Sequence, residues 1–232
     1  MNASRGQRKS NALSVITFVV AAVFGAFALA RRLWISVRAD SGFASWDAPT
    51  LDWMVAHRNA AATNIAWFFS TMGNTVGMTV IAVIAIALLS WKTRSYWPGV
   101  LIALTAAGSV ALTIVLKHVT HRARPAIEQA IAPVPTSYAF PSGHTLNAAA
   151  ILGVIGYLLF ILLRRQFVRI FSICALGACM LAVGWSRIYL GHHWLSDVLA
   201  GLLIGCAWAA IIMILHHFVV LKNRRFAHWI RL

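Results

Sequence analysis

Ser186–Asp197 reads S-R-I-Y-L-G-H-H-W-L-S-D and joins two strongly apolar segments, 170–185 and 194–221. A charged cluster at such a junction belongs where a membrane meets water. With a helix starting by His193, His193 and Asp197 stand four residues apart on one helix face. An Asp so placed accepts the proton of one imidazole nitrogen. The other nitrogen then keeps its lone pair and points outward, as a histidine nucleophile requires. Arg187, six residues before His193 and across Gly191, can bring a planar fork of donors to the same point. Taken alone, the stretch reads equally well as a helix-start His–Asp hydrogen bond beside an interfacial arginine.

The composition points to a membrane. The chain has 232 residues, 60% of them hydrophobic and 11% charged, where a soluble domain carries about 25% charged residues. It can hold several spans of about 20 residues each. Twenty Lys and Arg stand against five acidic residues, a formal charge of +15. In a soluble protein that excess would point to nucleic acid. Here the cations flank apolar segments, and no aromatic-plus-basic region remains outside the spans. Anionic lipid headgroups are the expected partner, and nucleic acid is not. Cys174, Cys179 and Cys206 all fall within apolar segments, against disulfides and against a cysteine metal site. Nothing in the sequence marks an obligatory protein partner.

The apolar runs fall at 12–30, 74–91, 97–116, 142–163, 170–185 and 194–221. They predict an all-α, polytopic bundle of six transmembrane helices, with residues 1–232 as a single domain. The flanks of the first run imitate a signal peptide, but Arg31 and Arg32 follow it instead of a small-residue cleavage site. It is read as a retained span. Between the first two spans, an interfacial segment at about 47–70 is expected to lie over the bundle mouth. In it Asp47 is a helix N-cap, and Trp46, Leu51, Trp53, Met54 and Val55 form an apolar stripe.

An inside N-terminus places Arg5, Arg8, Lys9, Lys92, Arg94, Arg164, Arg165, Arg169, Lys222, Arg224, Arg225 and Arg231 on the cytoplasmic side. The outer side then holds Arg31, Arg32, Arg38, Arg58, Arg122, Lys117, Arg124 and Arg187, the last three being motif residues. This is the positive-inside pattern, with Arg31 and Arg32 as the awkward pair. It predicts both termini in the cytoplasm and one extracytoplasmic face shared by Lys117, Ser142 and His193.

Two further stretches meet the first on that face. Lys117 is followed after six residues by Arg124-Pro125, and Pro141-Ser142-Gly143-His144 opens the fourth span. Three cations (Lys117, Arg124, Arg187) around a histidine suit a dianionic phosphate and the charge that spreads over its oxygens during phosphoryl transfer. Gly143 permits close backbone approach, and a helix beginning at Ser142–His144 offers free N–H groups to an anion. By itself Pro-Ser-Gly is an ordinary helix-start turn.

In chain order the three stretches read K-x6-R-P, P-S-G-H and S-R-x5-H-x3-D. That ordered set resembles the signature of the type-2 phosphatidic acid phosphatase superfamily, which also includes the soluble vanadium haloperoxidases. It fixes eleven positions over Lys117–Asp197, while the N-terminal half is matched only by hydropathy. The resemblance implies that His193 is the nucleophile, forming a phosphohistidine with Asp197 orienting it. His144 would serve as acid and then base, and Lys117, Arg124, Ser142, Gly143 and Arg187 would hold the phosphate. No cofactor or metal is implied. Two histidines and one Asp can bind zinc, but the adjacent cations repel it.

The implied substrate is a membrane lipid phosphate or pyrophosphate at the outer leaflet of the cell membrane, with a lean towards polyprenyl (undecaprenyl) pyrophosphate. Phosphatidic acid, phosphatidylglycerol phosphate and phosphotransfer to another lipid stay open. A catalytically silent lipid-binding or transport protein is countered by the intact His144, His193 and Asp197, and the haloperoxidase branch by its solubility. Outside the motifs, Arg122 reads as a rim charge or headgroup contact. His118, His121 and His192 read as solvated loop histidines. Gly201 and Gly205 read as a close-packing G-x-x-x-G.

Overall fold

The computed structural model describes residues 2–218, and every regular element among them is helical. In chain order the α-helices are α1 (Asn2–Arg38), α2 (Asp47–Ala56), α3 (Ala60–Gly73), α4 (Thr75–Thr93), α5 (Trp97–Thr120), α6 (Gly143–Leu162), α7 (Gln166–Tyr189) and α8 (Leu195–His216). Six of them, α1 over Val19–Arg38 and α4 to α8, are long and apolar enough to cross a bilayer. The protein is all-α and polytopic.

Local chemistry sets the ends. Asn59 and Asn74 cap α3 and α4 by accepting from the N–H of Ala62 at 2.9 Å and of Gly77 at 2.8 Å. Pro98 sits in the first turn of α5, where its missing N–H costs nothing. Arg94 and His121 turn α4 and α5 off in the left-handed region, at φ 52° and 50°.

The helices run further than the apolar segments do. α5 continues through Lys117 to Thr120, and α7 covers 166–189 where apolarity marks only 170–185. Polar residues do not break these ends because they satisfy themselves within the helix. Thr120 Oγ1 donates to Leu116 O at 2.8 Å, and Ser186 Oγ to Val183 O at 2.7 Å. α1 likewise runs past 30, so Arg31 and Arg32 lie exposed on the helix and not in a following loop. The end of the expected sixth span (219–221), with Lys222, Arg224, Arg225 and Arg231, lies outside the described residues. So do the side chains of Arg5, Arg8 and Lys9.

α6 is the central helix, with Leu146, Ala148, Ala149, Ala150 and Val154 fully buried. It crosses α8 at the two glycines of the G-x-x-x-G. A Cβ at Gly205 would stand 2.4 Å from Leu146 O, and one at Gly201 would stand 2.8 Å from Ser142 O. Only glycine admits that backbone-to-backbone approach. The crossing sets the start of α6 against the first turn of α8, where Ser142 N donates to Asp197 O at 3.0 Å.

The segment between α1 and α4 covers the same end of the bundle. Ala66 of α3 is buried against Tyr189 and Leu190 at the end of α7. Trp46 and Trp53, 62% and 58% exposed, face outward. Asp47, expected as an N-cap, is instead the first residue of α2, and its buried carboxylate serves another helix.

Candidate active site

The eight candidate site residues named above come from four helix ends and one adjoining loop on one face of the bundle. Lys117 stands near the end of α5, Arg124 in the following loop, and Ser142, Gly143 and His144 at the start of α6. Arg187 lies in the last turn of α7, and His193 and Asp197 flank the start of α8.

His193 is not on α8. It sits in the turn before the N-cap residue Trp194, and Asp197 is the third residue of the helix. The His–Asp contact is therefore a product of helix capping and not of a shared helix face. Asp197 Oδ2 accepts from Trp194 N–H at 2.9 Å and lies 3.3 Å from His193 Nδ1. On the other side of the ring, Nε2 is 3.2 Å from Arg124 Nη1. A guanidinium only donates, so Nε2 carries the lone pair and the proton resides on Nδ1 facing the carboxylate. Burial, then the charges of Arg124 and Arg187, hold the His193 pKa well below the ordinary imidazole value. The ring stays neutral with its free nitrogen pointed at a cation.

The cations are held in place before any anion arrives. Arg124 donates Nε to Ser137 O at 2.7 Å and Nη1 to the carbonyl of His192. Burial pulls its pKa below the usual arginine value, and Asp197 partly offsets this. Lys117 Nζ donates to Ser137 Oγ at 3.2 Å and to Tyr138 O. Arg187 is 2% exposed and donates Nη1 to Ser70 of α3. Its Nε is buried with no partner among the described residues. An orphan donor of that kind marks a place for an acceptor.

Ser142 is fully buried and its Oγ accepts from Thr145 Oγ1 at 3.0 Å, which leaves its own proton available. It makes no side-chain cap to α6, so the N–H groups of that first turn are free for an anion. A Cβ on Gly143 would strike Thr113 Cγ2 at 2.8 Å, so the glycine seats the start of α6 on α5 beside Lys117. His144 lies within electrostatic reach of Arg187, Arg124 and Lys117.

Two readings change at this site. Arg122 is not a rim charge: its side chain is 12% exposed and bridges Asp47, at 2.6 Å, and Asp197. His192 is not solvated. It is 1% exposed, Nε2 donates to Ile131 O at 2.8 Å, and burial and then Arg187 push its pKa down to about 4. Arg58, placed by the sequence only among the outer cations, is tied down as well. It donates to Tyr189 O and Gln129 O, both at 2.7 Å, and so locks the covering segment onto the end of α7 and the loop between α5 and α6. Asp47, Ser70, Arg58 and Arg122 carry no motif signal. The one hint in the sequence is that five acids serve so apolar a chain, which makes any acid beside a span a candidate partner for a buried cation.

Four cations (Lys117, Arg122, Arg124, Arg187) face two carboxylates (Asp47, Asp197), so two positive charges stand uncompensated around a neutral histidine. Fold and site together define a six-span membrane protein with a buried site of excess positive charge at one end of the bundle. Residues 98–220 match the PAP2 superfamily, and the chain belongs to that superfamily.

Among its relatives, phosphatidylglycerophosphatase B of Bacillus subtilis is 36% identical over 48% of this chain and 55% of its own length. Undecaprenyl-diphosphatase of Sulfolobus acidocaldarius is 29% identical over 58% of this chain and 61% of its own. The match thus spans little more than half of these two relatives. Among solved structures, the transmembrane PAP2-type phosphatidylglycerolphosphate phosphatase of Bacillus subtilis superposes with a TM-score of 0.78. It covers 87% of this chain and 98% of its own at 25% identity.

Proposed function

We propose that the protein is a membrane lipid phosphatase acting through a phosphohistidine at His193, with residues 1–232 working as one six-span unit. The observation that carries this reading is the pairing of His193. Its Nδ1 faces Asp197 and its lone-paired Nε2 faces Arg124 inside a site with two excess positive charges.

A phosphate entering the site takes over the donors of Arg124, Arg187, Lys117 and Ser142, together with the first N–H groups of α6. Nε2 of His193 attacks phosphorus, and the bond from phosphorus to the leaving oxygen breaks. His144 gives that oxygen its proton, while Asp197 stabilises the positive charge that develops on the ring. Water then attacks the phosphorus of the phosphohistidine, His144 takes its proton, and the N–P bond breaks to free His193 and release phosphate. The cations supply the charge neutralisation that a divalent metal provides elsewhere.

The substrate class follows from the setting. Apolar side chains exposed on α4, α5 and α7, such as Val80, Leu104 and Phe171, put the site within a lipid-facing bundle. A lipid phosphomonoester or pyrophosphate reaches it by lateral diffusion. Relatives named for phosphatidylglycerophosphate and for undecaprenyl diphosphate favour those two headgroups, with polyprenyl pyrophosphate the leading candidate. The charge pattern of the sequence favours cytoplasmic termini and an extracytoplasmic site. A cysteine in place of the exposed Glu128, labelled by an impermeant thiol reagent on intact cells, tests that orientation. The reaction itself is tested by phosphate release from a panel of lipid phosphates by purified protein in EDTA. Turnover of at least one lipid phosphate under chelation is expected. Inactivity restored only by a divalent ion overturns the metal-independent assignment.

A further inference from the structure

Asp197 uses its two oxygens in opposite directions. Oδ2 serves the catalytic side, facing His193 Nδ1 and Trp194 N–H. Oδ1 faces away and accepts from Arg122 Nη1. Arg122 in turn donates Nη2 to Asp47 Oδ2 at 2.6 Å and Nη1 to Ser196 Oγ at 2.7 Å. Ser196 Oγ donates to Asp47 Oδ2 at 2.6 Å, and Ser196 N–H donates to Asp47 Oδ1 at 2.8 Å. Every member is buried or nearly so, and Asp197 and Ser196 are 0% exposed. Asp47 thus satisfies a first-turn amide of α8 from a position 149 residues earlier in the chain.

We propose that Asp47 and Arg122 are positioning residues for the reaction: they fix the Asp197 carboxylate and, through it, the tautomer and aim of His193. The proposal rests on the reading of His193 as nucleophile. Two features argue for positioning over mere adhesion. First, the planar fork of Arg122 spans Asp47 and Asp197 at once, a geometry that lysine's point charge cannot reproduce. Second, Oδ1 of Asp197 has no other partner among the described residues, while Oδ2 is shared between Trp194 N–H and a 3.3 Å contact to His193. Without Arg122 the carboxylate is free to rotate towards the helix amide and away from the imidazole. The network also gives the covering segment a purpose. Asp47 is the first residue of α2 and directly follows Trp46, an exposed aromatic suited to the membrane interface. The seating of that segment thereby reaches the nucleophile.

The test compares Arg122→Lys, Asp47→Asn and the charge-balanced double variant Arg122→Met/Asp47→Asn, the last because losing Arg122 alone strands two buried carboxylates. Three quantities are read: kcat and KM on a lipid phosphate substrate in detergent, thermal stability, and the His193 tautomer by 15N NMR. Positioning predicts kcat lower by about 10- to 100-fold in each variant, with KM within about threefold of wild type. It also predicts a smaller share of the Nδ1-protonated form of His193 in the double variant, where Arg124 at Nε2 still favours that form but the Asp197 carboxylate is no longer fixed.

A folded double variant with wild-type kcat and an unchanged tautomer overturns the proposal and leaves the network as a structural tie. If the double variant does not fold, the two single variants decide by the same split: kcat unchanged, or KM and kcat changed together, overturns it. An inactive wild type whose His193 tautomer responds to Arg122→Lys counts against the phosphatase reading and for the network.

Discussion

The two ends of the helix bundle carry similar residue types and use them differently. At the active-site end Arg122, Arg124 and Arg187 are partly or fully buried, and each is held by named acceptors. At the opposite end Lys92, Arg164 and Arg165 are exposed around an open cavity of about 580 Å³, and no salt bridge among the described residues includes them. Arg169 there folds back onto Leu163 O at 2.7 Å and lies over the Phe160 ring. All five acids of the chain (Asp40, Asp47, Asp52, Glu128, Asp197) belong to the active-site end. A buried cation is costly unless it is paired or awaits an anion, whereas an exposed one is screened by water and headgroups. Burial, and not charge, separates the arginines of the candidate site from those exposed at the opposite end.

The sharpest way to break that contrast is to remove one buried cation. Arg187→Ala should lower kcat/KM by about 10³-fold or more, since it takes away donors aimed at the developing charge. Arg187→Lys should recover only part of the loss, because a lysine cannot supply the orphaned Nε donor. Steady-state kinetics on a lipid phosphate checks both. Retention of more than a tenth of the activity in Arg187→Ala would place this arginine with the exposed ones of the opposite end.

Ser70 tests whether the cover contributes to the site. Among the described residues its hydroxyl is the one side-chain acceptor of buried Arg187, so Ser70→Ala should free that side chain and lower kcat/KM by about 5- to 20-fold. Ser45→Ala, an exposed change in the same segment, should have no effect measurable in the same assay.

Buried histidines also make the active-site end sensitive to acid. His192 and His193 are buried neutral, with folded pKa values below the ordinary one of about 6.5. The unfolded chain therefore binds more protons than the folded one wherever the pH lies below about 6.5. Their stabilisation is fully present above that pH and is lost as the pH falls towards the folded values, about 4 for His192. Each should cost roughly 1 kcal/mol at pH 5.5, seen as a lower melting temperature in detergent than at pH 7.5. His192→Gln should reduce that acid sensitivity, and inorganic phosphate should oppose it by binding the folded site. A melting temperature that holds level from pH 7.5 to 5.5 would contradict the buried neutral pair.

At the opposite end the expected effects are small. Lys92→Ala, Arg164→Ala and Arg165→Ala together should leave kcat and KM within about twofold when all protein is correctly inserted. Tyr157→Phe, which removes a 2.9 Å hydrogen bond to the buried His216, should cost about 1 kcal/mol of stability and no activity. A catalytic defect in either would mean that the far end communicates with the site.

The same division explains how much could be read beforehand. The spans were legible because lipid demands long apolar runs. The residues that gather at the candidate site were legible because they lie within short motifs: Lys117 with Arg124, Pro141 with His144, Arg187 with His193 and Asp197. Asp47, Ser70 and Arg122 were not, since each acts on a partner 74 to 149 residues away in the chain. Locally, Asp47 before Ala48-Pro49 looks like any helix start, and Arg122 between two motif cations looks like a rim charge. The helix ends were misplaced for a related reason. Lys117 and Ser186 are polar in sequence but lie within helices, so hydropathy stops short of the true ends. The His193–Asp197 pair was foreseen as a contact, but its cause is the capping of α8 and not a shared face.

The most direct test of the central claim is rapid-quench labelling with a lipid carrying radioactive phosphate. Wild-type protein should accumulate an acid-labile, base-stable phosphoryl group that maps to His193. Turnover should proceed at the rate of its formation or breakdown, and His193→Ala should neither label nor turn over. Steady turnover by wild type with no protein-bound phosphoryl group, or substantial turnover by His193→Ala, would contradict covalent catalysis at this histidine.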